Sequence, residues 1–80
     1  MPPRLPTDPA LGQAIREMRE QRGQTQEELA SAAGITFGTV NRLESAKSAP
    51  AWATVRALLD ALNYSLADLA KAIDAAERPH

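Results

Sequence analysis

The chain has 80 residues, 44% of them hydrophobic and many of those alanine, with nine basic and ten acidic side chains for a net charge of −1. That suffices for one small domain with a modest core. With no cysteine and a single, terminal His80, a disulfide framework, thiol chemistry and a His/Cys metal site are excluded; no apolar run is long enough to span a bilayer, and no basic-then-apolar leader opens the chain, so a cytoplasmic location is expected rather than a membrane or secreted one.

Residues 1 to 7, MPPRLPT, are proline-rich and without periodicity, and are expected to form a flexible N-terminal arm. Arg4 there reads as a solvated charge, with a reach into a minor groove as the alternative. Asp8 before Pro9 is the pattern of an N-cap with proline at the first helical position, and Leu11, Ala14, Ile15 and Met18 follow at helical spacing up to Gly23. Arg16 and Arg22 alternate with Glu17 and Glu20 and read as a solvated face.

Thr25 with Glu28 three residues on forms a capping box, so a second helix is predicted from about Gln26, with Leu29, Ala30 and Ala33 as its apolar face and Gly34 as its end. Thr36 then serves as a new N-cap, and Ile35 with Val40 has the spacing of a hydrophobic staple. Only about three residues separate the two helices, which is helix-turn-helix spacing. On a helical wheel Val40 and Leu43 face the core, and the opposite arc carries Gly38, Asn41, Arg42 and Ser45 with Phe37 and Thr39 beside them. That arc lacks acids and suits base edges and phosphates in a major groove. Glu44 falls nearer the core and needs a partner.

After a loop, SAKSAPA, the residues Trp52, Val55, Leu58, Leu59 and Leu62 mark a fourth helix with Asn63 as its C′ residue. Trp52 at this spacing reads as core. Ser65 and Asp68 make a second capping box, and Leu66, Leu69, Ala70 and Ile73 form the stripe of a fifth helix, which is expected to leave residues 75 to 80 as a frayed tail. The domain is thus expected over residues 8 to 74, with the helix-turn-helix at 26 to 45. A stripe this apolar exceeds what so small a core can hide, so Tyr64, Leu66, Leu69 and Ile73 are expected at a twofold interface.

These motifs, LGQAIREMREQRGQTQEELASAAGI, then TVNRLES, a leucine-rich helix and SLADL, resemble the Cro and phage-repressor (XRE) family of helix-turn-helix DNA-binding proteins. The likeness runs from about Leu11 to Ile73, with Ala30, Gly34, Ile35, Val40 and Leu43 standing where the family motif puts them. It implies an all-α, five-helix repressor-like domain that binds double-stranded operator DNA as a homodimer, with the helix at 37 to 45 as the reading helix. It also implies a phosphate contact from Gln26 and a structural ion pair between Arg19 and Glu44.

On the reading face, Arg42 is expected to reach guanine or phosphate, Asn41 adenine, and Thr36 and Thr39 the backbone. Phe37 packs either on a thymine methyl or, half-buried, on Ile35 or the second helix. Gly38 offers no side chain, which lets the DNA approach the helix backbone closely. Lys47 lies where a DNA backbone would pass, a solvated loop lysine being the alternative. The family usually has glycine where Ala46 stands, which puts the tight helix exit in question.

The acidic balance argues mildly against nucleic acid, but the basic residues lie mostly between Arg4 and Lys47 while Asp60, Asp68, Asp74 and Glu77 collect toward the C-terminus. No catalytic constellation or cofactor motif is present, so an enzyme is not expected. A regulator of transcription, most simply a repressor on a palindromic operator, is the leading expectation. The alternatives are a protein-interaction module with the same fold, anchored on Phe37, and an antitoxin that binds both operator and toxin.

Overall fold

The structure is a computed structural model that describes residues 8 to 78; the N-terminal arm, with Arg4, lies outside the described residues. Five helices follow in order: α1 (Pro9–Gln21), α2 (Gln26–Ala33), α3 (Phe37–Glu44), α4 (Trp52–Leu62) and α5 (Leu66–Glu77). The fold is all-α.

Four of the five starts have a side-chain cap, α4 beginning after Ala51 without one. The Asp8 carboxylate accepts from the Ala10 N–H at 2.9 Å, and Thr25 and Glu28 exchange side-chain and backbone hydrogen bonds at 2.8 and 3.0 Å. Thr36 accepts from Thr39 N–H at 3.2 Å, and Ser65 and Asp68 form a second reciprocal box. Those bonds from Ser65 hold the Asp68 carboxyl below its usual range. Such caps contribute about 1 kcal/mol each by satisfying N–H groups that a helix start leaves unpaired.

The ends share one device. After α1, α2, α3 and α4 the residues Gly23, Gly34, Ala46 and Asn63 adopt positive φ, at 68, 71, 57 and 58°. In every case the next residue's N–H returns to a carbonyl five back: Gln24 to Arg19, Ile35 to Ala30, Lys47 to Arg42 and Tyr64 to Leu59. Ala46 therefore makes the tight exit that a glycine would make, at a steric cost of about 1 kcal/mol for its Cβ.

The core joins Leu11, Ala14, Ile15 and Met18 of α1 to Leu29 and Ala30 of α2, Val40 and Leu43 of α3, and four residues of α4. Helix α1 lies against both α5 and α3, while α2 lies against α3 and α4. Because α1 covers α5, Leu69 is only 3% exposed and belongs to the core. This corrects its expected place at a twofold interface. Leu66, by contrast, is 51% exposed. The last helix runs to Glu77, beyond residue 74, since Ala75 and Ala76 are good helix formers and Asp74 bonds Arg78 at 2.7 Å.

Arg22 is exposed as expected, but it also has partners: it donates to the carbonyls of Leu62 and Asn63 at 2.9 and 3.2 Å and lies 4.0 Å over the ring of Tyr64. It thus caps the C-terminal carbonyls of α4, while Tyr64 donates to Gln21 Oε1 at 2.9 Å. Tyr64 is half-buried in this joint between α1 and the α4–α5 turn, which leaves little of it for a partner chain.

Candidate nucleic-acid interface

Helix α3 is presented by a short, stiff connection. The turn at Gly34 and the cap at Thr36 leave only Ile35 between them, half-buried against the core. Val40 and Leu43 then bury one side of α3, which forces Phe37, Asn41, Arg42 and Ser45 outward.

The back of α3 is locked to α1. Arg19 donates from Nε to Glu44 Oε2 at 2.8 Å and from Nη2 to Oε1 at 3.0 Å, a bidentate pair whose side chains are 12% and 3% exposed. Its remaining nitrogen, Nη1, donates to the Gln24 carbonyl at 2.7 Å. The hydrogen bond to Glu44 raises the Arg19 pKa above its ordinary value, so the guanidinium stays charged. Close by, Gly12 of α1 meets the last turn of α3: a Cβ there would stand 2.6 Å from the Leu43 carbonyl oxygen and 2.8 Å from that of Glu44. A glycine inside an amphipathic helix is the signal that could have revealed this approach.

Gln26, expected to touch phosphate, has a second engagement. Its Nε2 donates to Glu44 Oε1 at 3.0 Å, and its Oε1 accepts from Asn41 Nδ2 at 3.1 Å. One amide thus bridges the buried pair to the outer face of α3. Asn41 keeps Oδ1 and one N–H, the two groups an adenine edge requires.

Toward the start of α3, Phe37 is 46% exposed, so a large part of its ring faces solvent. Thr36 and Thr39 face each other, their hydroxyls 2.8 Å apart. The Arg42 guanidinium runs back over Gly38, where a Cβ would lie 3.0 Å from Nη1. Beyond Arg42 a hollow of about 280 Å³ opens between Thr39, Ser48 and Thr54, and Lys47 is exposed on the loop beside it. The outward residues Phe37, Gly38, Thr39, Asn41, Arg42 and Ser45 include no acid, although Glu44 borders a hollow with Asn41 and Ser45; among the described residues no group of His, Cys, Asp or Glu could hold a metal ion. No helix among them is long and apolar enough to cross a membrane.

Residues 10 to 77 match a family model described as a helix-turn-helix domain. The chain belongs to the helix-turn-helix family. Two crystal structures of the clp gene regulator ClgR from Corynebacterium glutamicum are similar to this helix-turn-helix protein. One shares 28% identity over 90% of this chain and 94% of that one, with a TM-score of 0.82. The other shares 29% identity over 91% and 78%, with a TM-score of 0.81. No curated protein matches the chain.

Proposed function

We propose that this protein is a sequence-specific DNA-binding regulator of transcription that acts as a dimer, most simply as a repressor on a palindromic operator. The observation that carries the reading is the outer face of α3. It combines a guanidinium without a partner among the described residues, two hydroxyls, an amide with donor and acceptor to spare, and an exposed ring, on a helix fixed from behind by the Arg19–Glu44 pair. Such a surface suits a major groove, where direct readout needs fork donors, amides and apolar contacts held in a defined register. Similarity to the clp gene regulator ClgR supports the same reading.

Twofold assembly is supported by the apolar surface that α5 leaves outside the core. Exposed Leu66 and half-buried Ile73 border a hollow of about 240 Å³ that Leu11 and Trp52 also line. A regulator with one small reading helix per chain gains affinity and length of site by pairing.

The test is titration of the protein against DNA from its own upstream promoter and against scrambled DNA at two salt concentrations. Tight binding to the promoter alone, weakening as salt rises, is the expected result. Equal binding to both would favour the second reading, a protein-interaction module, whose specific support is the exposed Phe37 ring.

A further inference from the structure

We propose that Gly38 is a positioning residue for base recognition: its missing side chain is the seat on which the Arg42 guanidinium is held for reading. The proposal deepens the DNA-binding reading above and rests on it.

Nothing in the backbone requires glycine at 38. Positive φ among the glycines is confined to Gly23 and Gly34, so an alanine would fit the helix without strain and would favour it intrinsically. The space around Gly38 supplies the reason instead. An added Cβ would meet Nη1 of Arg42 at 3.0 Å, Cζ at 3.8 Å and Nη2 at 3.9 Å, and nothing nearer. Residues four apart are neighbours on a helix and side chains lean toward its start, so Arg42 lies back along α3 over the glycine.

No acceptor for that guanidinium appears among the described residues. The adjacent hydroxyls of Thr36 and Thr39 are engaged with each other. A planar fork of donors therefore lies over Gly38 with its Nη1 end nearest the helix, unspent, on the face turned outward. Held in this way it loses less rotamer freedom when it meets a guanine edge than a freely swinging arginine would. A Cβ at 38 would displace the mobile end of Arg42 rather than any backbone, so the fold would tolerate it while the fork lost its aim.

The experiment enriches duplexes from a randomised pool with the wild-type protein. It then compares wild type, Gly38→Ala, Arg42→Ala and the double variant on single-base-pair changes of the enriched site, with thermal unfolding measured for each. Gly38→Ala is expected to melt no lower than wild type. Its discrimination at the base pair that Arg42 reads should fall by at least about fivefold. In the Arg42→Ala background the same change should do nothing further.

Discrimination preserved in Gly38→Ala, or an equal loss in both backgrounds, overturns the proposal. So does an Arg42→Ala variant that weakens evenly on every duplex. A second measurement needs no DNA: nuclear Overhauser cross-peaks between the Gly38 α protons and the Arg42 side chain in the free protein. Without them the seat falls even if DNA is read. If they are present but no duplex is enriched, the DNA reading has failed and the proposal falls with it.

Discussion

Glu44 receives Arg19 through two hydrogen bonds of 2.8 and 3.0 Å, and this pair is the joint that sets α3 on α1. Its carboxylate also accepts from Gln26, so three N–H groups converge on a side chain that is 3% exposed. Arg19→Met would leave that carboxylate buried with only an amide for company. The expected loss is about 3 to 5 kcal/mol, a large fraction of what a small domain has. Replacing both partners by apolar residues, as in Arg19→Met with Glu44→Leu, should restore most of it, because the cost lies in the uncompensated charge. Urea unfolding of the three proteins measures this. A double variant no more stable than the single one would mean that packing, not charge, carries the joint.

Gly12→Ala tests the same contact from the backbone side. Alanine gains up to about 1 kcal/mol of helix propensity in α1. Against that gain, its Cβ would sit 2.6 Å from one α3 carbonyl oxygen and 2.8 Å from the next, atoms that cannot swing aside as a side chain can. Forced separation of packed elements costs typically about 1 to 3 kcal/mol, so a net loss is expected. A variant as stable as wild type in thermal unfolding would refute the close approach.

What the sequence made legible was mostly local. Caps such as Thr25–Glu28 and ends such as Gly34 and Asn63 depend on residues a few positions apart, and helical spacing alone found Val40 and Leu43. Contacts between distant segments were harder. Arg22 reads as solvated beside Glu20, yet its partners are carbonyls forty and more positions away. Leu69 reads as surplus apolar surface because only the packing of α1 on α5 reveals what covers it. On the candidate site, residue types along α3 were readable one by one. The Gln26 bridge to Asn41 and the approach of Arg42 to Gly38 depend on how the folded helices and side chains meet.

Ala46→Gly should stabilise the protein. The alanine stands at φ 57°, where its Cβ crowds the backbone, and glycine would hold the same turn without that strain. Greater freedom of glycine in the unfolded chain offsets part of the gain, leaving roughly 0.5 kcal/mol or more. In a domain of this size that is a rise of at least about 2 °C in melting temperature. A lower melting temperature would show that Ala46 is not strained.

Arg42 and Lys47 should separate by how they fail. Arg42→Ala is expected to cost about 1 to 3 kcal/mol on the enriched site and to relax preference at one base pair. Lys47, exposed on the loop after α3, is expected to meet phosphate. Lys47→Ala should therefore weaken binding evenly across sequences and lower the salt slope by about one. Matching effects from the two variants would reassign one of them.

The proposed twofold interface makes its own prediction, and Leu66 and Leu69 divide it. Leu66 is 51% exposed, so Leu66→Asp removes apolar surface from the outside of α5 without touching the core. Being at the first position of α5, the new carboxylate also suits the positive end of the helix, and the monomer should fold as before. Sedimentation at tens of micromolar should then show dimer for wild type and monomer for Leu66→Asp, with unchanged helical content by circular dichroism. Leu69→Ala is the contrast: it opens a cavity under α1 and should cost about 2 to 5 kcal/mol of stability. Unaltered self-association in Leu66→Asp would move the interface off this face, and a wild type that is monomeric throughout would remove the dimer from the proposed mechanism.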